Sequence, residues 1–253
     1  MTEQNQTALD HFVELRSRIL WVLGTFIVSM GLGIYLAGPI IQWFKKRPSL
    51  EGFSFHIFNP MDPLTVIMQF AFVIAFCLTL PVLLYQIWKF VKPGLLPHEQ
   101  RATLVYIPIA VLLFALGLSF GLFIVFPYLI MFMETLNGVL GAEMTYGIYE
   151  VFSFMFRICF PMALLFELPI IVLFFTRLRI LRPSMLRKGR RFAYVALVVV
   201  AAMITPPDFI SNILVAIPLF LLYEISIALC AWLDRRLIRL DEERERMWEE
   251  TKE

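Results

Sequence analysis

Three carboxylates stand where a carboxylate is costly or out of place. Glu14 lies in the run His11-Phe12-Val13-Glu14-Leu15-Arg16-Ser17-Arg18, between basic residues and directly before a long apolar stretch. Glu99 closes the segment Tyr85–Glu99, in which Pro93-Gly94 and Pro97 make a structured turn rather than a spacer. Glu167, in Leu164-Leu165-Phe166-Glu167-Leu168-Pro169, sits inside an apolar run. At such depth in a membrane an ionisable group costs about 2.5–3.5 kcal/mol and marks a functional site by default. Carboxylates take guanidinium groups bidentately, so Glu14 and Glu99, on one otherwise basic face, suit a ligand with two arginines. The surrounding positive charge repels a merely polybasic ligand, so geometric fit must supply the selectivity. Bland alternatives stand beside these. Glu14 can form an i,i+4 pair with Arg18 worth a few tenths of a kcal/mol. Glu167 can be a protonated side chain hydrogen-bonded to a neighbouring helix, with Pro169 freeing a carbonyl nearby. Trp88 and Phe90 can be interfacial belt aromatics. Arg157 lies about 15 Å of helix before Glu167, too far for a direct pair. It shares a helix face with Glu150, and the spacing predicts that it snorkels toward that acid.

The elements that position these residues are membrane-spanning. The chain is 60% hydrophobic and 17% charged, with a mean hydropathy of +0.78, against about 45–50% and about 25% in soluble domains. Cys77, Cys159 and Cys230 lie in apolar runs with no CxxC spacing, and read as buried small hydrophobes. His11, His56 and His98 are scattered outside the spans, which argues against a metal site. The acidic N-terminal segment lacks the basic region of a cleavable signal peptide. No catalytic residues, cofactor or nucleic-acid partner are expected. Ser29, Ser119, Ser153 and Ser226 occur in or near spans, but none has a Gly-x-Ser-x-Gly setting or a His to act as base, which disfavours an intramembrane hydrolase. A proton-coupled solute transporter using Glu167 is the stronger rival. The missing internal repeat and the lack of other intramembrane acids speak against it.

Six apolar segments succeed one another: 19–38, 64–85, 104–126, 151–175, 192–204 and 209–232. Even spans put both termini on one side. That side carries two Lys/Arg before the first span, three after the second, seven after the fourth and six in the tail. The other side carries Lys45, Lys46 and Arg47. The positive-inside rule therefore predicts cytoplasmic N- and C-termini. The fifth segment, about 20 Å of helix, ends at Thr205-Pro206-Pro207-Asp208, where two prolines force a reversal. Such a short hairpin needs local bilayer thinning or partner packing. The first outer loop, 39–63, is expected to fold as a cap with a short interfacial helix. Residues 1–233 form the transmembrane domain, and 234–253 a charged cytoplasmic tail that is either a solvated helix extension or disordered.

Taken in order, these motifs resemble the TatC family, the C subunit of the twin-arginine protein translocase. The resemblance rests on HFVELRSR before the first span, LPVLLYQIWKFVKPGLLPHE, LLFELP, ITPPDF and AIPLFLLYEI. It implies an all-α polytopic protein of six transmembrane helices in a cupped, concave arrangement, with the last two short. It implies a receptor for paired-arginine signal peptides of folded proteins in the bacterial inner (cytoplasmic) membrane, driven by the proton-motive force. By the same resemblance Glu14 and Glu99 bind the arginines, with Arg16 and Phe90 completing the patch, and Glu167 is the intramembrane acid of a concave cavity. Thr205, Asp208 and Asn212 belong to the docking edge for single-span TatA/TatB-type partner subunits. Asn212 stands where relatives carry Gln, with a shorter reach, and Pro161 departs from the family pattern. Membrane lipid and a higher-order oligomer complete the implied partners.

Overall fold

The computed structural model describes residues 2–46, 55–92, 100, 103–140, 145–205 and 208–250. Helix α1 runs Thr2–Lys45, α2 Asp62–Val91 and α3 Tyr106–Phe120; a π-helical turn, Gly121–Val125, leads into α4, Phe126–Leu140. Helix α5 covers Ile148–Leu165, α6 Leu168–Arg177, α7 Pro183–Lys188, α8 Arg190–Ile204 and α9 Phe209–Glu250. Two short strands, β1 (Phe55–His56) and β2 (Tyr146–Gly147), pair in parallel. Five stretches are long and apolar enough to cross a membrane: 13–45, 62–91, 106–136, 148–177 and 209–247. With 15 residues, α8 is shorter than these.

Several helices outrun their sequence-based limits. The first was expected to end at Ala37-Gly38-Pro39, but α1 passes through Pro39 to Lys45. A proline removes one hydrogen bond and crowds the preceding turn, yet membrane helices tolerate it because neighbouring groups re-satisfy the backbone. Pro81, Pro161 and Pro218 likewise lie inside helices. The first part of the expected cap is therefore a continuation of α1. Residues 47–54 lie outside the described residues, and the next described element is β1 rather than a separate helix. The tail is a helical extension, since α9 continues to Glu250.

The chain forms two compact units, residues 1–93 with 122–160 and residues 94–121 with 161–253. In the first, α1 and α2 pack along a seam of small residues. Ser29, Gly33 and Ala37 are buried at four-residue spacing, opposite buried Ala71 and Ala75. A Cβ on Gly33 would meet the Ala71 carbonyl oxygen at 2.6 Å and its Cα at 2.9 Å, so only glycine permits this approach. Small residues play this part in membrane helices because association there rests on close van der Waals packing rather than on escape from water. An aromatic cluster closes the unit: Phe70 lies edge-on to Phe152 and Phe156, at 5.1 and 4.7 Å between ring centroids. Gln69 and Ser153 exchange hydrogen bonds at 2.8 and 3.2 Å. Arg157 departs from expectation. It is exposed and, among the described residues, makes no ion pair with Glu150, whose carboxylate folds over Gly147 instead.

In the second unit α6 packs on α9, where the Thr176 hydroxyl contacts Cys230 Sγ at 3.1 Å while donating to the Val172 carbonyl at 2.7 Å. Helix α6 stops in a tight reversal. Arg179, at φ 59°, donates its N–H to the Thr176 carbonyl, and Ile180 donates to Phe175. This is a left-handed C-terminal cap, usually a glycine position. Here Arg179 also pairs with Asp241 of α9 at 2.6 Å.

Candidate functional site

Of the residues singled out in the sequence, Glu14 and Phe90 meet in the first unit through a third, Arg18. The Arg18 guanidinium forms the i,i+4 ion pair with Glu14, donates to the Gln86 carbonyl at 3.2 Å and lies 5.4 Å from the Phe90 ring centroid. Its side chain is 10% exposed, against 44% for Glu14. A buried arginine is tolerable when a carboxylate and a carbonyl both receive its donors, and here it ties the end of α2 to α1. Glu14 is the accessible member of the pair. Arg16 is exposed two residues away. Glu99 lies outside the described residues.

Below this polar mouth the two helices leave an apolar groove of about 430 Å³. Leu15, Ile19, Val22, Leu23 and Phe26 line it from α1, and Phe76, Leu80, Leu83 and Ile87 from α2, with Arg18, Gln86 and Phe90 at the mouth. The volume falls in the range of binding clefts that are mainly apolar with a few placed polar groups. A carboxylate at the mouth of an apolar groove can hold a cation whose attached chain is hydrophobic. The sequence pointed to the octet but assigned Arg18 only a weak helix pair. Its burial and its bond to Gln86 are long-range features without a local signal.

Glu167 occupies the joint between α5 and α6, at the N-cap position of α6. It is buried, and its Oε1 has no hydrogen-bond partner among the described residues. Helix α3 also packs against this joint. A Cβ on Gly117 would meet the Phe166 side chain at 2.7 Å and Ala163 Cα at 2.9 Å, and Phe120 packs on Phe166 at 5.7 Å. Pro169, two residues on, cannot donate a backbone bond, so the chain breaks here in mid-run.

The last hairpin brings Thr205, Asp208 and Asn212 into one unit. The Thr205 hydroxyl donates to the Ala201 carbonyl at 3.0 Å and closes α8. Asp208 Oδ2 accepts the Ser211 N–H at 2.7 Å and caps α9. The other oxygen of Asp208, the Ser211 hydroxyl and the Asn212 side-chain oxygen are buried without partners among the described residues. Apolar side chains nearby are turned outward: Met203 is 77% and Phe209 79% exposed.

The family model of the Sec-independent protein translocase protein (TatC) matches residues 10–218. The chain belongs to the TatC family. It is 44% identical to the Sec-independent protein translocase protein TatC of Halalkalibacterium halodurans over 245 residues, covering 97% of each chain. It is likewise 44% identical to TatCy of Bacillus subtilis, over 90% of this chain and 89% of that one. A crystal structure of the twin-arginine translocase receptor TatC in DDM is similar at a TM-score of 0.76 and 31% identity, over 87% of this chain and 98% of that one. Family membership makes this a multi-pass bacterial inner-membrane component of the Tat protein translocase, acting with Tat partner subunits. It is not an enzyme, and the hydrolase alternative falls with that.

Proposed function

We propose that this chain is the receptor of its translocase, and that paired arginines of a signal peptide bind at Glu14 and Glu99 on the cytoplasmic face. The observation that carries the reading is the half-exposed Glu14 carboxylate, already holding one guanidinium, at the mouth of the apolar groove between α1 and α2. A peptide arginine takes the place of Arg18 on Glu14, Phe90 offers its ring face, and the apolar part of the signal follows the groove. Arg16 keeps the entrance selective against diffuse positive charge. In this reading α8 is a sixth, short span, both termini are cytoplasmic and the helices form a concave cup. Glu167 meets polar groups of a single-span partner helix. Thr205, Asp208 and Asn212 mark the edge on which such subunits assemble into a larger, lipid-embedded oligomer that works on the proton-motive force. The unsatisfied oxygens of Glu167, Asp208 and Asn212 support this, because buried acceptors gain from a donor on an incoming helix.

The test is site-directed photo-cross-linking in membranes, from Leu15 and Ile87 in the groove and from Met203 on the hairpin. Groove probes should capture a twin-arginine signal peptide, lose it on Glu14→Gln, and ignore a twin-lysine peptide. The Met203 probe should capture partner subunits. Equal capture of both peptides at the groove would overturn the receptor assignment.

A further inference from the structure

Helix α9 carries a second exposed face that the translocation reading does not use. Its apolar part presents Leu221, Ile225, Ala228 and Trp232, and the same face then turns basic at Arg235, Arg236 and Arg239. Arg187, from α7, faces this cluster across a pocket of about 570 Å³ floored by Ala228 and Ala231. No carboxylate lines the pocket, and none of the four arginines has an ion-pair partner among the described residues. The neighbouring Arg179 and Arg190, by contrast, are each paired with an acid. Arg236 stacks on the Trp232 ring at 5.6 Å, which fixes one guanidinium toward the pocket.

We propose that this pocket binds the headgroup of an anionic phospholipid. Four unneutralised guanidiniums around one cavity repel one another, and a phosphodiester relieves that repulsion by accepting bidentate bonds. The apolar stripe identifies the source of the phosphate. It runs unbroken from the pocket into the span, which accommodates an acyl chain and has no use for a free phosphate. Trp232 stands at the junction, the level at which tryptophan anchors membrane proteins. Ala228 and Ala231, with no side-chain bulk beyond Cβ, leave the floor open for a glycerol backbone. Basic pockets at the ends of membrane helices hold anionic headgroups in this way.

The experiment is native mass spectrometry of the full chain, delipidated in detergent, with phosphatidylglycerol or phosphatidylcholine of identical acyl chains. The native chain should retain phosphatidylglycerol selectively. Arg187→Gln and Arg236→Gln should each weaken retention by about fivefold, and together by about 25-fold. Arg182→Gln, outside the pocket, should change nothing. If the double variant fails to fold, the single variants and Trp232→Ala decide. The proposal is overturned if the two lipids are retained alike, if the pocket variants match the native chain, or if Arg182→Gln loses as much as they do. Full displacement of the lipid by inorganic phosphate would instead mark a site for soluble anions, and would also overturn it.

Discussion

Replacing Glu14 by Gln removes a charge and leaves almost everything else in place. The carboxylate is 44% exposed, so its bond to an incoming guanidinium is neither fully screened nor fully desolvated. Exposed ion pairs contribute about 0.2–1 kcal/mol, and hydrogen bonds to charged groups about 1.5–3 kcal/mol. A half-exposed site falls between them, at about 1–2 kcal/mol, or about five- to thirtyfold in Kd. Arg18 keeps the Gln86 carbonyl and the Phe90 ring, but its largely buried guanidinium loses a charged acceptor, so the fold loses about 1–3 kcal/mol, more than an exposed i,i+4 pair. In a chain of this size that lowers Tm by about 2–12 °C. The assay is fluorescence anisotropy of a labelled signal peptide with the purified full chain, with arginine-pair and lysine-pair peptides compared. Glu14→Gln should weaken the arginine peptide by the stated factor and erase its advantage over the lysine peptide. Binding within twofold of the native chain, with the arginine preference intact, would refute the assignment.

Gly33→Leu drives a side chain into the Ala71 backbone and should cost about 1–3 kcal/mol as overpacking, read as a lowered detergent melting temperature. Gly117→Val should do the same through Phe166, with export of a twin-arginine substrate falling because the Glu167 joint moves. Glu167→Leu removes a buried oxygen that lacks a partner and should raise the melting temperature, by up to about 1–3 kcal/mol of stability, while lowering export. Asp208→Ala deletes the cap on the Ser211 N–H and should cost about 1 kcal/mol, measurable as faster hydrogen exchange in the first turn of α9.

How far the residues foretold this arrangement depended on the range of the interaction. Apolar run length located the long helices, because a span must bury its own backbone bonds whatever surrounds it. The helix limits were less legible. Gly38-Pro39 reads as a terminator in water, yet α1 passes through it. The pairing of β1 with β2 joins residues 55–56 to 146–147 and is too short for any alternation to announce it. Glu167 was legible as an acid out of place, and Pro169 foretold the break beside it. Arg18 was not, since its weight comes from Gln86 and Phe90, about seventy positions away. The expected Arg157–Glu150 contact failed because shared helical phase does not decide which neighbour a flexible carboxylate folds onto.

The glycine contact at Gly33 has a mechanical corollary. Among the contacts that pin α1 to α2 are the backbone contact at Gly33–Ala71 and the Arg18–Gln86 bond, about 22 Å apart along α1. Only the second pin is made of groups that a ligand can compete for. Prying Arg18 away frees one end of the pair while the other serves as a fulcrum, so the groove can widen like a clothes-peg without the bundle coming apart. Spin labels at Ile19 and Ile87 should then separate on peptide binding while labels near the Gly33 contact hold their distance. Equal movement at both ends would mean that the helices part as a whole.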